Sequence, residues 1–330
     1  MNAKKIGNYA VKVSIFIVLA IAIYQQFFLN KNFSQLTQGF QQSFYLKNMI
    51  WLLLAFLFMF FNWGVEALKW QKLMAKIEIL KFSAAFRAIL CGVSLSLFTP
   101  NRVGEYGGRV LILQKANKIQ AIGLTLIGSW SQLIIHISLG VLGLYIFELK
   151  YFEFNHVFAN FLFIGIALLC GLSLFLYFNI HFLEKLTQKL HRYQQWQNYW
   201  HIVKQYRRSE LTYILLLSLL RYFIFALQYV FLLWFFGVSA PLANILILVC
   251  SIFFIQTIVP SIALVELGIR GNVALFFLTY ITENSLAILA ATFSLWTINL
   301  LLPAILGAVV IGGLDIFSSL KMPSFGFWKR

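Results

Sequence analysis

Charge is scarce in this 330-residue chain. Only 11% of its residues are Asp, Glu, Lys or Arg, and just 10 of them are acidic. A soluble domain of this size needs more charge than that to cover its surface, so a free-standing globular protein is excluded. Cysteine is equally thin. Cys91, Cys170 and Cys250 lie far apart inside apolar stretches, which excludes a disulfide framework and a zinc spacing. No Walker-type phosphate loop, His-Glu-x-x-His helix or nucleophile elbow occurs. The chain is therefore expected to hydrolyse no ATP, to carry no metal or other cofactor, and to have no catalytic residues.

What is present is apolar. Hydrophobic residues make up 61% of the chain, and Phe alone contributes 35. An all-α integral membrane protein is predicted, since a transmembrane helix needs about 20 mostly apolar residues. Six full spans are expected at 8–29, 48–68, 120–147, 157–179, 211–236 and 285–312. The basic N-terminus precedes Ile15 to Leu29, which has no small-x-small cleavage pattern and reads as an uncleaved first helix. The net charge of +16 does not point to nucleic acid, because Lys and Arg sit in short loops beside apolar spans. That is the distribution of topology signals and of contacts to anionic membrane lipids.

The same loops set the orientation. Lys4, Lys5 and Lys12, the run Lys69, Lys72, Lys76 and Lys81, the segment from Lys185 to Arg208, and Lys321 to Arg330 are assigned to the cytoplasm. Glu148 to Glu153, Val238 to Pro241 and residues 31–47 are poor in Lys and Arg and are assigned outside. Both termini are then cytoplasmic, at a bacterial inner membrane. Residues 181–209 alternate apolar and basic side chains at helical spacing, including Trp196, Trp200, Val203 and Tyr206, and read as an amphipathic helix on the inner leaflet.

Two further apolar segments, 82–118 and 243–282, are interrupted at mid-length by Pro, Gly and charge. Each must enter and leave from one side, the first cytoplasmic and the second external. Two re-entrant broken helices thus approach the midplane from opposite faces, where non-helical backbone survives only against protein or a wet cavity. The breaks match: Pro100 leads to Glu105-Tyr106-Gly107-Gly108-Arg109, and Pro260 leads to Glu266-Leu267-Gly268-Ile269-Arg270. The two glutamates lie 161 residues apart, and spans 48–68 and 211–236 start 163 apart. An inverted-topology internal repeat follows, with halves at about 1–150 and 151–330 of one transmembrane domain.

The candidate substrate-binding residues are Arg102, Glu105, Arg109, Glu266 and Arg270. Guanidinium binds phosphate in a planar, bidentate way. Backbone breaks at Pro100, Gly104, Gly107, Gly108, Pro260 and Gly268 free N–H groups for an anion. The alternative is that each Glu neutralises the Arg four residues on and staples its hairpin. Asn62, Glu66, Gln132, His136, Gln228, Gln256 and Asn299 read as interhelical hydrogen-bonding groups. Arg221 reads as a side chain that snorkels to the interface.

The run from Leu97 to Arg109, with Val259-Pro260 and Val265 to Arg270, resembles the lysylphosphatidylglycerol synthetase transmembrane family, also called flippase-like domain proteins. The resemblance covers essentially the whole chain. It implies a membrane module alone, since the aminoacyl-transferase domain of full-length synthetases would follow the membrane part and this chain ends at Arg330. It implies translocation of a phospholipid or lipid-linked anionic substrate. Competing expectations are an intramembrane enzyme acting on lipid headgroups with Glu105 and Glu266, and a scaffold for envelope-synthesis enzymes or a homo-oligomer.

The re-entrant reading predicts that cysteines placed at Lys81 and Lys118 react with an impermeant maleimide from one face of the membrane. Cysteines at Leu242 and Glu283 should react from the other. Labelling of Lys81 and Lys118 from opposite faces would end it.

Overall fold

The computed structural model describes residues 48–97, 99, 102–151, 156–179, 182, 202–259 and 263–314, with the side chains of 156–159, 162 and 263–267 excepted. The expected span 8–29, segment 31–47, Pro100, Pro260, the side chain of Glu266, most of 181–209 and the tail lie outside the described residues. Every regular element among the described residues is helical. They are α1 (Met49–Met74), α2 (Phe82–Ser96), α3 (Gly104–Arg109) with a 3-10 turn (Val110–Ile112), α4 (Lys118–Tyr151) and α5 (His156–Phe178). After these come α6 (Arg208–Phe235), α7 (Leu242–Ile258), α8 (Ala263–Leu278), α9 (Ser285–Trp296), a π segment (Thr297–Leu301) and α10 (Leu302–Gly312).

Four helical stretches are long and apolar enough to cross a bilayer: α1, α4, α6 and the continuous run α9 to α10. At 1.5 Å per residue, the 26 residues of α1 reach about 39 Å, beyond the roughly 30 Å hydrocarbon core. By the same rise the 15 residues of α2 and the 17 of α7 reach only about 22 and 26 Å, too short to cross.

The polar groups of α1 turn inward among apolar side chains, and its outer face is apolar. On α1, Ala55, Met59, Asn62, Glu66, Lys69 and Leu73 recur at three- and four-residue spacing and are buried, while Leu53, Leu57, Phe60, Phe61 and Leu68 are exposed. Apolar residues on the outer face suit lipid, and ionisable groups turn toward the protein. α6 runs antiparallel along α1. Trp51 meets Phe231 and Trp234 at one end, Gln228 Nε2 donates to the Ala55 carbonyl at 2.7 Å, and Lys76 pairs with Glu210 at 2.7 Å at the other.

The chain folds back on itself between α2 and α3. A Cβ on Gly104 would lie 2.3 Å from the Leu95 carbonyl oxygen, and one on Gly108 would lie 2.4 Å from that of Cys91. Only glycine permits so close a return. Glu78 closes the open end, its carboxylate accepting from the backbone N–H groups of Gln114, Lys115 and Ala116 at 3.3, 3.0 and 2.8 Å. The second hairpin, α7 to α8, opens toward the other end of the bundle. There Lys150 Nζ donates to Asn244 Oδ1 at 2.7 Å and Phe147 stacks edge-on with Phe277.

Small residues also let the hairpins pack on the spans, as is usual where lipid supplies no hydrophobic drive. A Cβ on Gly307 of α10 would lie 2.0 Å from the Leu90 carbonyl oxygen of α2, and one on Gly140 of α4 would lie 2.4 Å from Phe254 Cβ of α7.

One expectation about the spans needs correction. Lys69 is not a loop cation, because α1 continues to Met74 and Lys69 is buried at 1% exposure. The last span runs over 285–312 as expected; within it Pro303 has no N–H to give the Asn299 carbonyl and the preceding turn widens to π geometry.

These approaches predict that Gly108→Ala and Gly307→Ala each destabilise the protein by about 1–3 kcal/mol. Gly107→Ala, with nothing within 4 Å of its Cβ position, should be near neutral. Thermal unfolding of the three variants in detergent checks the difference.

Candidate functional site

Glu66 sits at mid-helix on the buried face of α1, and three cations converge on its carboxylate. Lys69, one turn on, lies 2.7 Å from Oε2, and Arg221 of α6 lies 3.1 Å from the same oxygen. Arg109 of the first hairpin lies 2.9 Å from Oε1. Arg109 also pairs with Glu105, one turn before it, and its side chain is only 4% exposed. Such a cluster is tolerable in a membrane interior only when each charge is matched or hydrogen-bonded. Lys69 is further held by Gln132 and Ser218, both at 3.4 Å.

The network continues outward through amides. Arg221 Nε donates to Asn62 Oδ1 at 3.1 Å, and Asn62 Nδ2 donates to Asn299 Oδ1 at 3.1 Å. Asn299 stands in the π segment that Pro303 imposes. The Arg221 guanidinium also lies 5.1 Å over the Trp63 ring, a cation–π contact.

A cavity of about 290 Å³ opens beside this network, where the tips of both hairpins meet α1, α4, α6 and the π segment. Its wall holds three guanidinium groups: Arg102 from the first hairpin, Arg270 from the second, and Arg221. Gln256 and Thr257 line it from the tip of α7, and Gln132 and His136 from α4. Arg270 donates to Gln256 Oε1 at 3.0 Å, across the second hairpin. Arg102 has φ of 58°, the left-handed region that a branched or bulky residue rarely adopts. Backbone strain of that kind persists where surrounding structure fixes it, and functional sites are where it collects.

The sequence candidates therefore separate. Arg102 and Arg270 reach the cavity. Arg109 does not line it: Glu66 and Glu105 pair with it, and its side chain is buried. Glu105 is half-buried on Arg109, and the Glu266 side chain lies outside the described residues. Gly104 and Gly108 serve close packing, while Gly107 and Gly268 meet nothing within 4 Å of a Cβ position. Arg221 does not snorkel to the interface; Glu66 and Asn62 hold it at the cavity. The local signals for the cluster were Glu66-x-x-Lys69, an i,i+3 ion pair inside an apolar span, and the i,i+4 pair of Glu105 with Arg109.

Among the described residues no group of His, Cys, Asp and Glu could hold a metal ion. The family model described as the lysylphosphatidylglycerol synthase TM region matches residues 10–307, so the chain belongs to that family. No curated protein and no solved structure matches it. Family and apolar helices together make it a multi-pass membrane protein with a membrane-lipid-related function.

Glu66→Gln removes the shared counter-charge of three buried cations. It should cost roughly 3–5 kcal/mol of stability, read as a drop in the thermal midpoint in detergent. Glu105→Gln, at a side chain 27% exposed, should cost clearly less.

Proposed function

From membership of the lysylphosphatidylglycerol synthase transmembrane family, we propose that the chain is a translocase moving a phospholipid or lipid-linked anionic substrate between leaflets. The observation that carries the reading is the cavity wall, where Arg102, Arg221 and Arg270 stand together between two hairpin tips. A phosphate there would meet forked donors from both hairpins and from a span. In this reading a modest shift of either hairpin would expose the cavity to one leaflet alone.

The proposed architecture is the inverted repeat. In it α1 corresponds to α6, α2 to α7, α3 to α8, and α4 to the run α9 to α10. The contacts exchange accordingly: α1 packs on α6, while α2 packs on α10 and α7 on α4. The halves differ at one telling place. Glu66 draws Arg109 onto α1, whereas its counterpart 162 residues on is the neutral Gln228, which donates to Ala55 and cannot draw Arg270 the same way. Arg270 stays in the cavity wall.

The proposed location is a bacterial inner membrane with both termini cytoplasmic, which the Lys- and Arg-rich loops support. The competing reading is an intramembrane enzyme that uses Glu105 and Glu266; Glu105 pairs with Arg109.

Arg221→Ala and Arg270→Ala should each slow movement of a fluorescent phospholipid across liposome bilayers at least about 10-fold, with protein yield retained. A dithionite-quenching assay measures it. Wild-type rates in both variants would overturn the assignment of the site.

A further inference from the structure

Arg221 is within reach of a complete ion pair with Glu66 and is held short of one. Its Nη1 lies 3.1 Å from Glu66 Oε2. Arginine and carboxylate readily close into a two-pronged fork that engages two guanidinium nitrogens. Here the second prong is engaged elsewhere, because Nε donates to Asn62 Oδ1 at 3.1 Å. Glu66 Oε2 meets Lys69 and Arg221 at ion-pair distance yet accepts no aligned hydrogen bond. A buried acceptor in that state favours any donor that can turn toward it.

What opposes that turn is a relay with one possible direction. Asn62 Nδ2 donates to Asn299 Oδ1, and Asn299 Nδ2 donates to the Leu295 carbonyl, both at 3.1 Å. A guanidinium only donates, and a backbone carbonyl only accepts. With those groups at the two ends, neither amide can flip without setting donor against donor. Both amides are buried, so a broken link leaves an unpaired polar group inside the protein. The Trp63 ring, 5.1 Å from the guanidinium, bounds the Arg221 side chain on one face.

We propose that Asn62 and Asn299 are positioning residues that hold Arg221 out of a two-pronged pair with Glu66, and so keep it available to a phosphate oxygen in the cavity. Arg109 shows the other outcome: Glu66 and Glu105 both pair with it, and it does not line the cavity. The inference rests on the translocase reading for the identity of the anion. It goes further by giving two neutral side chains, remote from each other in sequence, a role in anion binding that is exerted through Arg221.

The test is a double-mutant cycle on the purified full chain in detergent. Its first readout is calorimetric binding of dihexanoyl phosphatidylglycerol below its micelle concentration. Asn299→Thr can keep a hydrogen bond to the carbonyl four residues back, as Thr292 does to Ile288 at 2.7 Å, but is too short to reach Asn62. Asn62→Ala breaks the relay from the other end. Each should weaken binding about 5- to 10-fold. Asn299→Asp, whose carboxyl still accepts from Asn62, should recover most of that loss. In an Arg221→Ala background neither relay variant should weaken binding further.

The second readout needs no lipid. Phenylglyoxal, which modifies accessible guanidinium groups, should label Arg221 about 5-fold more slowly in both relay variants, as located by peptide mass spectrometry. Unchanged labelling of Arg221 would overturn the proposal. So would binding losses that persist in the Arg221→Ala background, or that Asn299→Asp does not recover. If one relay variant fails to fold, the other decides, and if the wild type binds no phosphatidylglycerol the labelling decides alone. A wild type that binds the lipid yet flips none in liposomes would sink the translocase reading and leave the relay standing.

Discussion

Glu66 carries the counter-charge for three cations at once: Lys69 on its own helix, Arg109 on the first hairpin and Arg221 on the opposing span. The Glu66 side chain is only 4% exposed, so in a low-dielectric interior the arrangement is strongly held. Because Arg109 must stay on Glu66, the first hairpin is fixed against α1. Because Arg221 must stay near the same carboxylate, its guanidinium is presented to the cavity at a set place, braced by the Trp63 face and the Asn62 amide.

The remaining architecture delivers backbone to that point. Glycines at the α2–α3 turnaround and at the α10 and α4 contacts bring main chains close enough for short broken helices to reach mid-membrane under cover of protein. Pro303 widens the last span into a π turn, and the turn puts Asn299 where Asn62 can bond it. One proline thereby links the second half of the chain to the amide relay that ends on Arg221.

Three guanidinium groups line the resulting cavity, and the amides of Asn62, Gln256 and Asn299 bond within its wall. Glu66 and Glu105 pair with the cations around it and so help to build it.

The sequence by itself determined everything whose cause is local. Apolar length marked the four long helices that could cross a bilayer. Pro, Gly and charge inside apolar runs marked the two hairpins, and i,i+4 spacing paired Glu105 with Arg109. It picked out Arg102 and Arg270, which both line the cavity. Only the tertiary structure decided which arginine is buried against carboxylates and which lines the cavity, because the deciding partners are remote in sequence. Glu66 lies 43 residues from Arg109, Asn62 lies 159 from Arg221, and Asn299 lies 237 from Asn62. A run such as Lys69 to Lys81 looks like one basic loop until helix α1 continues through Lys69 and buries it beside Glu66. Charge identity is written in the chain, but whether a charge meets water, lipid, a carboxylate or a ligand depends on what packs against it.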